Sequence, residues 1–206
     1  MRIVFATGNK DKMREIRDIL GNLGLEILSM KEAGIEGDIE ENGTTFSENS
    51  MIKAESVAKL LKKQDPEAAK ESIILADDSG LEVDYLGGEP GIYSARYMGR
   101  DTSYTEKNTA IIAKLDGVPD EKRTARFVCA ISAVLPNGKK LGTLGTMEGR
   151  IGYEIAGQNG FGYDPIFFLP EYGKTSAEIS AEEKNAISHR GKALREMEKV
   201  LAAELN

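Results

Sequence analysis

Behind Met1 and Arg2 the chain runs through a short apolar stretch, Ile3-Val4-Phe5-Ala6, into the polar TGNKDK (residues 7–12). Met13, Ile16, Ile19, Leu20 and Leu23 then recur at helical spacing, so a buried strand over residues 2–6, a glycine loop and an amphipathic helix are expected in that order. Residues 26–29 read as a second strand. Residues 46–61, with Ile52, Val57, Leu60 and Leu61 apolar, read as a helix, and a charged connector around Pro66 (residues 62–72) leads to the apolar strand Ile73-Ile74-Leu75. That strand is expected to end in a turn carrying Asp77, Asp78, Ser79 and Gly80. Residues 104–115 form a helix through Ile111, Ile112 and Leu115, and residues 126–135 and 140–146 form strands joined by the hairpin turn Pro136-Asn137-Gly138. Ala193, Leu194, Met197, Val200 and Leu201 give the last helix an apolar stripe for core packing. The fold class is α/β, with a mixed twisted central sheet flanked by helices, parallel at its N-terminal end and antiparallel in the middle. Residues 1–206 are expected to form a single domain of two lobes with a cleft between them.

Composition narrows the partners. With 206 residues, 40% of them hydrophobic, the chain is long enough to bury roughly 70% of its unfolded surface. A formal charge of −7 argues against a broad nucleic-acid or anionic-membrane surface, which would need dense Lys and Arg. Cys129, alone in an apolar run, cannot make an intrachain disulfide and reads as a small buried hydrophobe in a reducing cytoplasm. Residues 3–6 are too short for a signal segment, and no apolar run approaches the ~20 residues of a membrane span, so a cytoplasmic protein is expected.

Four segments carry candidate chemistry. Adjacent Asp77 and Asp78 at a strand end would point to opposite sides, one toward a metal and one held by donors, although an Asx turn explains an isolated DDSG as well. The loop at residues 7–12 can turn backbone N–H groups and a helix N-terminus toward an anion, with Thr7 and Asn9 offering neutral hydrogen bonds and Lys10 and Lys12 charge. An ordinary strand-to-helix connection also favours Gly and Asn. In GFGYDPIFF (residues 160–168) the glycines leave Phe161 able to stack on a planar base, and Asp164 could accept from a ring N–H. The alternative is a tight turn with Phe161 as core filler and Asp164 fixing the turn. Lys184, His189 and Arg190 form a set of donors suited to purine carbonyls or phosphate, or else a solvated helix face with His189 as a cap. His189 is the only histidine and no GxSxG elbow occurs, so nucleophilic catalysis is not expected. Gly173-Lys174-Thr175 lacks the rest of a Walker loop and reads as a surface turn.

Taken together, TGNKDK (7–12), EENGTTFSEN (40–49), ADDSGLEVD (76–84), GGEPGIYSARY (87–97), GFGYDPIF (160–167) and KNAISHRGKAL (184–194) resemble the inosine triphosphate pyrophosphatase family, the XTP/dITP diphosphatases, over essentially the whole chain. The resemblance implies Mg²⁺-dependent hydrolysis of the α–β anhydride of ITP, dITP and XTP to monophosphate and pyrophosphate, which cleanses the nucleotide pool. Carried over to this chain, Thr7, Gly8, Asn9, Lys10, Asp11, Lys12 and Ser79 hold the triphosphate. Glu41 and Asp78 bind Mg²⁺, with Asp78 also the proton acceptor and Asp77 a supporting carboxylate. Phe161, Gly162, Tyr163, Asp164, Lys184, His189 and Arg190 match base-binding positions. A homodimer is implied, with residues 87–97 near its interface. A non-catalytic nucleotide sensor is the competing class, but it would not need carboxylates facing phosphates, since uncompensated negative charge there weakens anion binding.

Overall fold

The computed structural model describes residues 1–37 and 39–205. Its seven-stranded sheet has the order β2-β1-β3-β4-β5-β6-β7, where β1 is Arg2–Phe5, β2 Glu26–Ser29, β3 Ser72–Val83, β4 Thr124–Val134, β5 Lys140–Ile151, β6 Phe167–Leu169 and β7 Lys174–Thr175. Strand β1 pairs in parallel with β2 and with β3, whereas β6 pairs antiparallel with β5 and with β7. The mixed α/β sheet is as expected. Its helices are α1 (Lys10–Leu20), α2 (Phe46–Gln64), α3 (Pro66–Lys70), α4 (Tyr104–Lys114), α5 (Ala181–Ile187) and α6 (His189–Leu205). None of the described helices is long and apolar enough to cross a membrane.

Three elements differ from the sequence expectation. The charged connector is mostly helical: α2 runs on to Gln64, and Asp65 caps α3 by accepting from Ala68 N, with Pro66 in the first turn where its missing N–H costs nothing. Lys174 and Thr175 are a short strand rather than a surface turn, because Thr175 is buried and its hydroxyl donates to Ala156 O. Most consequential, Asp77 and Asp78 stand mid-strand. Leu81 and Val83 are buried and carry β3 on past Gly80, so no turn follows the carboxylates.

The chain divides into two compact units. The first comprises residues 1–78, 129–145 and 190–206. Here the two-residue period of each strand sorts its side chains between two helical layers. Ile3, Phe5, Ile73, Leu75, Cys129 and Ile131 pack with Met13, Ile16 and Leu20 of α1 and with Leu194, Met197 and Leu201 of α6. Their alternates Val4, Ala6, Ile74 and Ala76 pack with Ala54, Val57 and Leu61 of α2. The second unit comprises residues 79–128 and 146–189. It packs Leu81, Phe127, Met147 and Ile151 of the strands with Ile111 and Leu115 of α4 and with Phe167 and Ile179.

Leu75 is fully buried in the first of these layers. Leu75→Ala should lower the unfolding free energy by about 2–5 kcal/mol in urea titrations, and a loss below about 1 kcal/mol would mean that β3 is not central to the core.

Candidate functional site

The same alternation places the carboxylates. Asp77 continues the row Ile73, Leu75 and therefore faces α1 and α6, where Lys12 Nζ meets its Oδ2 at 2.9 Å and Arg190 Nη2 at 3.1 Å. The Arg190 guanidinium also pairs with Glu15, one turn beyond Lys12 on α1. Asp77 is 0% exposed, and burial by itself would raise its carboxyl; the charges of Lys12, Arg190 and Lys53 outweigh that and hold it well below the usual carboxylate range. Arg190 is correspondingly held above its ordinary value against its own burial, chiefly by Asp77.

Asp78 continues the row Ile74, Ala76 and faces α2. It is 8% exposed, and burial raises its carboxyl above the ordinary value despite the Lys53 charge, with Glu41 pushing the same way. Its Oδ2 is buried and makes no hydrogen bond among the described residues. Lys53, half-buried on α2, donates to the Asp77 carbonyl at 2.9 Å and pairs with Glu41 at 3.2 Å, tying the two carboxylate environments together. Adjacent residues of one type are thus shifted in opposite directions.

The described residues contain no group of three or more His, Cys, Asp or Glu side chains arranged to hold a metal ion. A hard cation such as Mg²⁺ needs no such cage when substrate phosphates and water complete its shell around one or two carboxylates. Glu41 and Asp78, within electrostatic reach of one another, and the unpartnered Asp78 Oδ2 fit that mode.

The loop before α1 is held by its own side chains. Asn9 caps the helix: its Oδ1 accepts from Asp11 N and Lys12 N, and Thr7 Oγ1 accepts from Asn9 N, so these neutral side chains serve the turn itself. Gly8, Asn9 and Lys10 are exposed, Thr7 and Asp11 half-buried, and Lys12 reaches back to Asp77. Ser79, the next residue of β3, is half-buried.

A second cluster lies wholly in the other unit. Asp164 is buried and accepts from Phe161 N at 2.8 Å, Lys184 Nζ at 2.6 Å and Ser176 Oγ at 2.8 Å. The Lys184 ammonium stands 5.0 Å from the centre of the Phe161 ring. Gly160 has φ +71° and a Cβ there would fall 2.1 Å from Asp164 Oδ2, so this turn requires glycine. Gly162 O accepts from Asn108 of α4, and His189 stacks on Phe127 at 4.9 Å.

This geometry shows what several of the expected site residues touch within the protein. Asp164 anchors its own turn and Lys184. Tyr163 is core, with its hydroxyl donating to Ser94 O and its ring edge-on to Tyr104. Lys184 and Arg190 are buried, not a solvated face, and Arg190 pairs with Asp77 and Glu15 in the first unit. Sequence reasoning missed Lys53, Asn49 and Glu15. A polar pair at i, i+4 between Phe46, Ala54 and Val57 was the available signal for the first two.

Comparison with known proteins agrees with this architecture. The model of the Ham1 family matches residues 3–200. The chain is 47% identical over 196 residues to the dITP/XTP pyrophosphatase of Clostridium perfringens, covering 95% of each chain, and 46% identical over 205 residues to that of Caldanaerobacter subterraneus, covering 100% of this chain and 98% of the other. The solved structure of the Staphylococcus aureus Ham1 protein superposes with a TM-score of 0.85 at 39% identity, covering 99% of this chain and 100% of that one.

Replacing Asp77 would remove the buried carboxylate that Lys12 and Arg190 share, leaving Glu15 to pair with Arg190. Asp77→Asn should lose about 3–5 kcal/mol of stability near neutral pH. The folded carboxyl titrates below the unfolded one, so the contribution is complete above the unfolded pKa of about 3.9 and is lost as pH falls below it. Urea titrations should therefore show the gap between wild type and variant narrowing from about pH 7 to about pH 3; a constant gap would contradict the ionised pair.

Proposed function

The chain belongs to the Ham1 family, and on that footing we propose that it hydrolyses non-canonical purine nucleoside triphosphates (dITP, XTP and ITP) at the α–β anhydride, releasing nucleoside monophosphate and pyrophosphate in a Mg²⁺-dependent reaction. The observation that carries this reading is the split pair on β3: Asp77 neutralised by cations, Asp78 buried with a raised carboxyl and an oxygen without a hydrogen-bond partner. A nucleotide sensor gains nothing from Asp78, whereas hydrolysis does.

Lys12, on the first turn of α1, supplies positive charge for the triphosphate while Asp77 and Arg190 hold that turn against the sheet. Asp78 orients a water and takes its proton; its raised affinity for protons, set by burial, suits a base. Glu41 and Asp78 are the carboxylates that would hold Mg²⁺, which when bound neutralises phosphate charge and polarises the anhydride. Lys53 keeps Glu41 and the Asp77 backbone in register. No protein nucleophile is required.

In the second cluster the Lys184 side chain is paired with Asp164, and an ammonium can donate but not accept. Such a group favours a purine with a carbonyl at C6 and disfavours the amino group of adenine, by about 1–3 kcal/mol for a buried group left unsatisfied. Phe161 offers a ring for base stacking beside it. A homodimer in the cytoplasm belongs to the same proposal.

With saturating Mg²⁺, dITP and XTP should release pyrophosphate, not orthophosphate, and dATP should be a much poorer substrate. Asp78→Asn should lower kcat at least about 100-fold, the lower range for one positioned acid–base group, with KM little changed. Near-normal turnover by that variant would sink the assignment, and orthophosphate as first product would move the cleavage to the outer phosphate.

A further inference from the structure

Asn49 lies one turn before Lys53 on the buried side of α2 and is 1% exposed. Its Oδ1 accepts from Gly43 N at 2.8 Å, which pins the segment that carries Glu41 two residues earlier. Gly43 is fitted to this contact, since a Cβ there would lie 2.7 Å from Asn49 Oδ1 and 2.8 Å from Glu48 Cβ. The other end of the amide reaches toward the Asp78 side chain on β3. Asn49 Nδ2 and Asp78 Oδ2 are nonetheless both buried without a hydrogen-bond partner among the described residues. An unmet amide donor beside an unmet carboxylate oxygen is costly, and such pairs are kept where loading of the site completes them. Next to Asn49, Ser50 Oγ meets Ser132 Oγ of β4 at 2.6 Å, which fixes the first turns of α2 to the sheet beneath.

We propose that Asn49 is a positioning residue that sets the separation of Glu41 and Asp78. Its Oδ1 holds the Glu41 segment, and its unmet Nδ2 is the donor that orients the Asp78 carboxylate once the site is loaded, so that one side chain couples the two groups that share a cation. This rests on the pyrophosphatase reading above. It also explains why a helix otherwise packed through Ala54, Val57 and Leu61 buries an amide at this position.

The test uses the full chain carrying Asn49→Asp, which keeps the acceptor and the volume but exchanges the donor for a second acceptor and a negative charge, or Asn49→Ala, which removes both donor and acceptor. Mn²⁺ alone is titrated and followed by electron paramagnetic resonance, and dITP turnover is measured separately, with thermal unfolding as a check on folding. Asn49→Ala should bind Mn²⁺ about 10-fold or more weakly, and Asn49→Asp should lose about 10-fold or more in kcat with KM within about twofold of wild type. The Asp variant carries the test if the Ala variant does not fold. Wild-type Mn²⁺ affinity in the first together with wild-type kcat in the second overturns the proposal, as does an effect on KM alone, which would put Asn49 on the substrate. Wild-type protein that releases no pyrophosphate from dITP defeats the pyrophosphatase reading instead, and the Mn²⁺ titration then decides the role of Asn49 by itself.

Discussion

The two-residue period of β3, sandwiched between helical layers, is the constraint from which the first cluster follows. Once Ile73 and Leu75 are committed to α1 and α6, and Ile74 and Ala76 to α2, Asp77 and Asp78 have no choice of face. One enters a layer lined with Lys12 and Arg190, the other a layer where Lys53 must serve Glu41 as well. A rigid central strand holds both without the freedom a turn would allow. Slipping β3 by one residue would exchange the two carboxylates and bury the wrong one among cations.

Charge distribution reconciles an acidic protein with an anionic substrate. The formal charge of −7 is spread over the surface, while Lys12, Lys53 and Arg190 converge on Asp77 from three helices. Each of these cations is held by a carboxylate or carbonyl, so the positive field is preorganised and the side chains lose little freedom when phosphate arrives. In the second unit Asp164 plays the corresponding part for Lys184, with Ser176 and the Phe161 N–H holding its carboxylate in place. The buried thiol of Cys129, pushed up to about 12 by burial, is inert packing between these charges and the core.

The strands and helices with clean periodicity were legible: residues 26–29 coincide with β2, and the predicted helix from residue 46 begins where α2 does. The parallel pairing of β1 with β2 and β3 agrees with the expected parallel N-terminal end, whereas β6 and β7, which pair antiparallel, carry no strand signal in the sequence reading. The turn at Asp77 was wrong because DDSG obeys local turn chemistry, while burial of Leu81 and Val83, a tertiary effect, decided for a strand. Residue identities pointed to Asp78, Glu41, Lys12 and Lys184, but not to their partners. Glu15 reads as an exposed helix position until Arg190, 175 residues away, is folded against it. Matching Asp164 and Arg190 to base-binding positions gave no sign of their contacts with Phe161, Ser176 and Lys184, or with Glu15 and Asp77.

A group placed for chemistry at the expense of stability leaves a thermodynamic signature. Asp78 has a carboxyl raised by burial, so the folded state disfavours its charge near neutral pH, the reverse of Asp77. The most direct measurement is the unfolding free energy of Asp78→Asn against wild type at neutral pH with divalent cations chelated. The variant should be more stable than wild type, because it removes a buried charge and keeps the volume. A variant less stable than wild type would mean that Asp78, like Asp77, is a structural ion-pair partner, and the division of roles along β3 would fall with it.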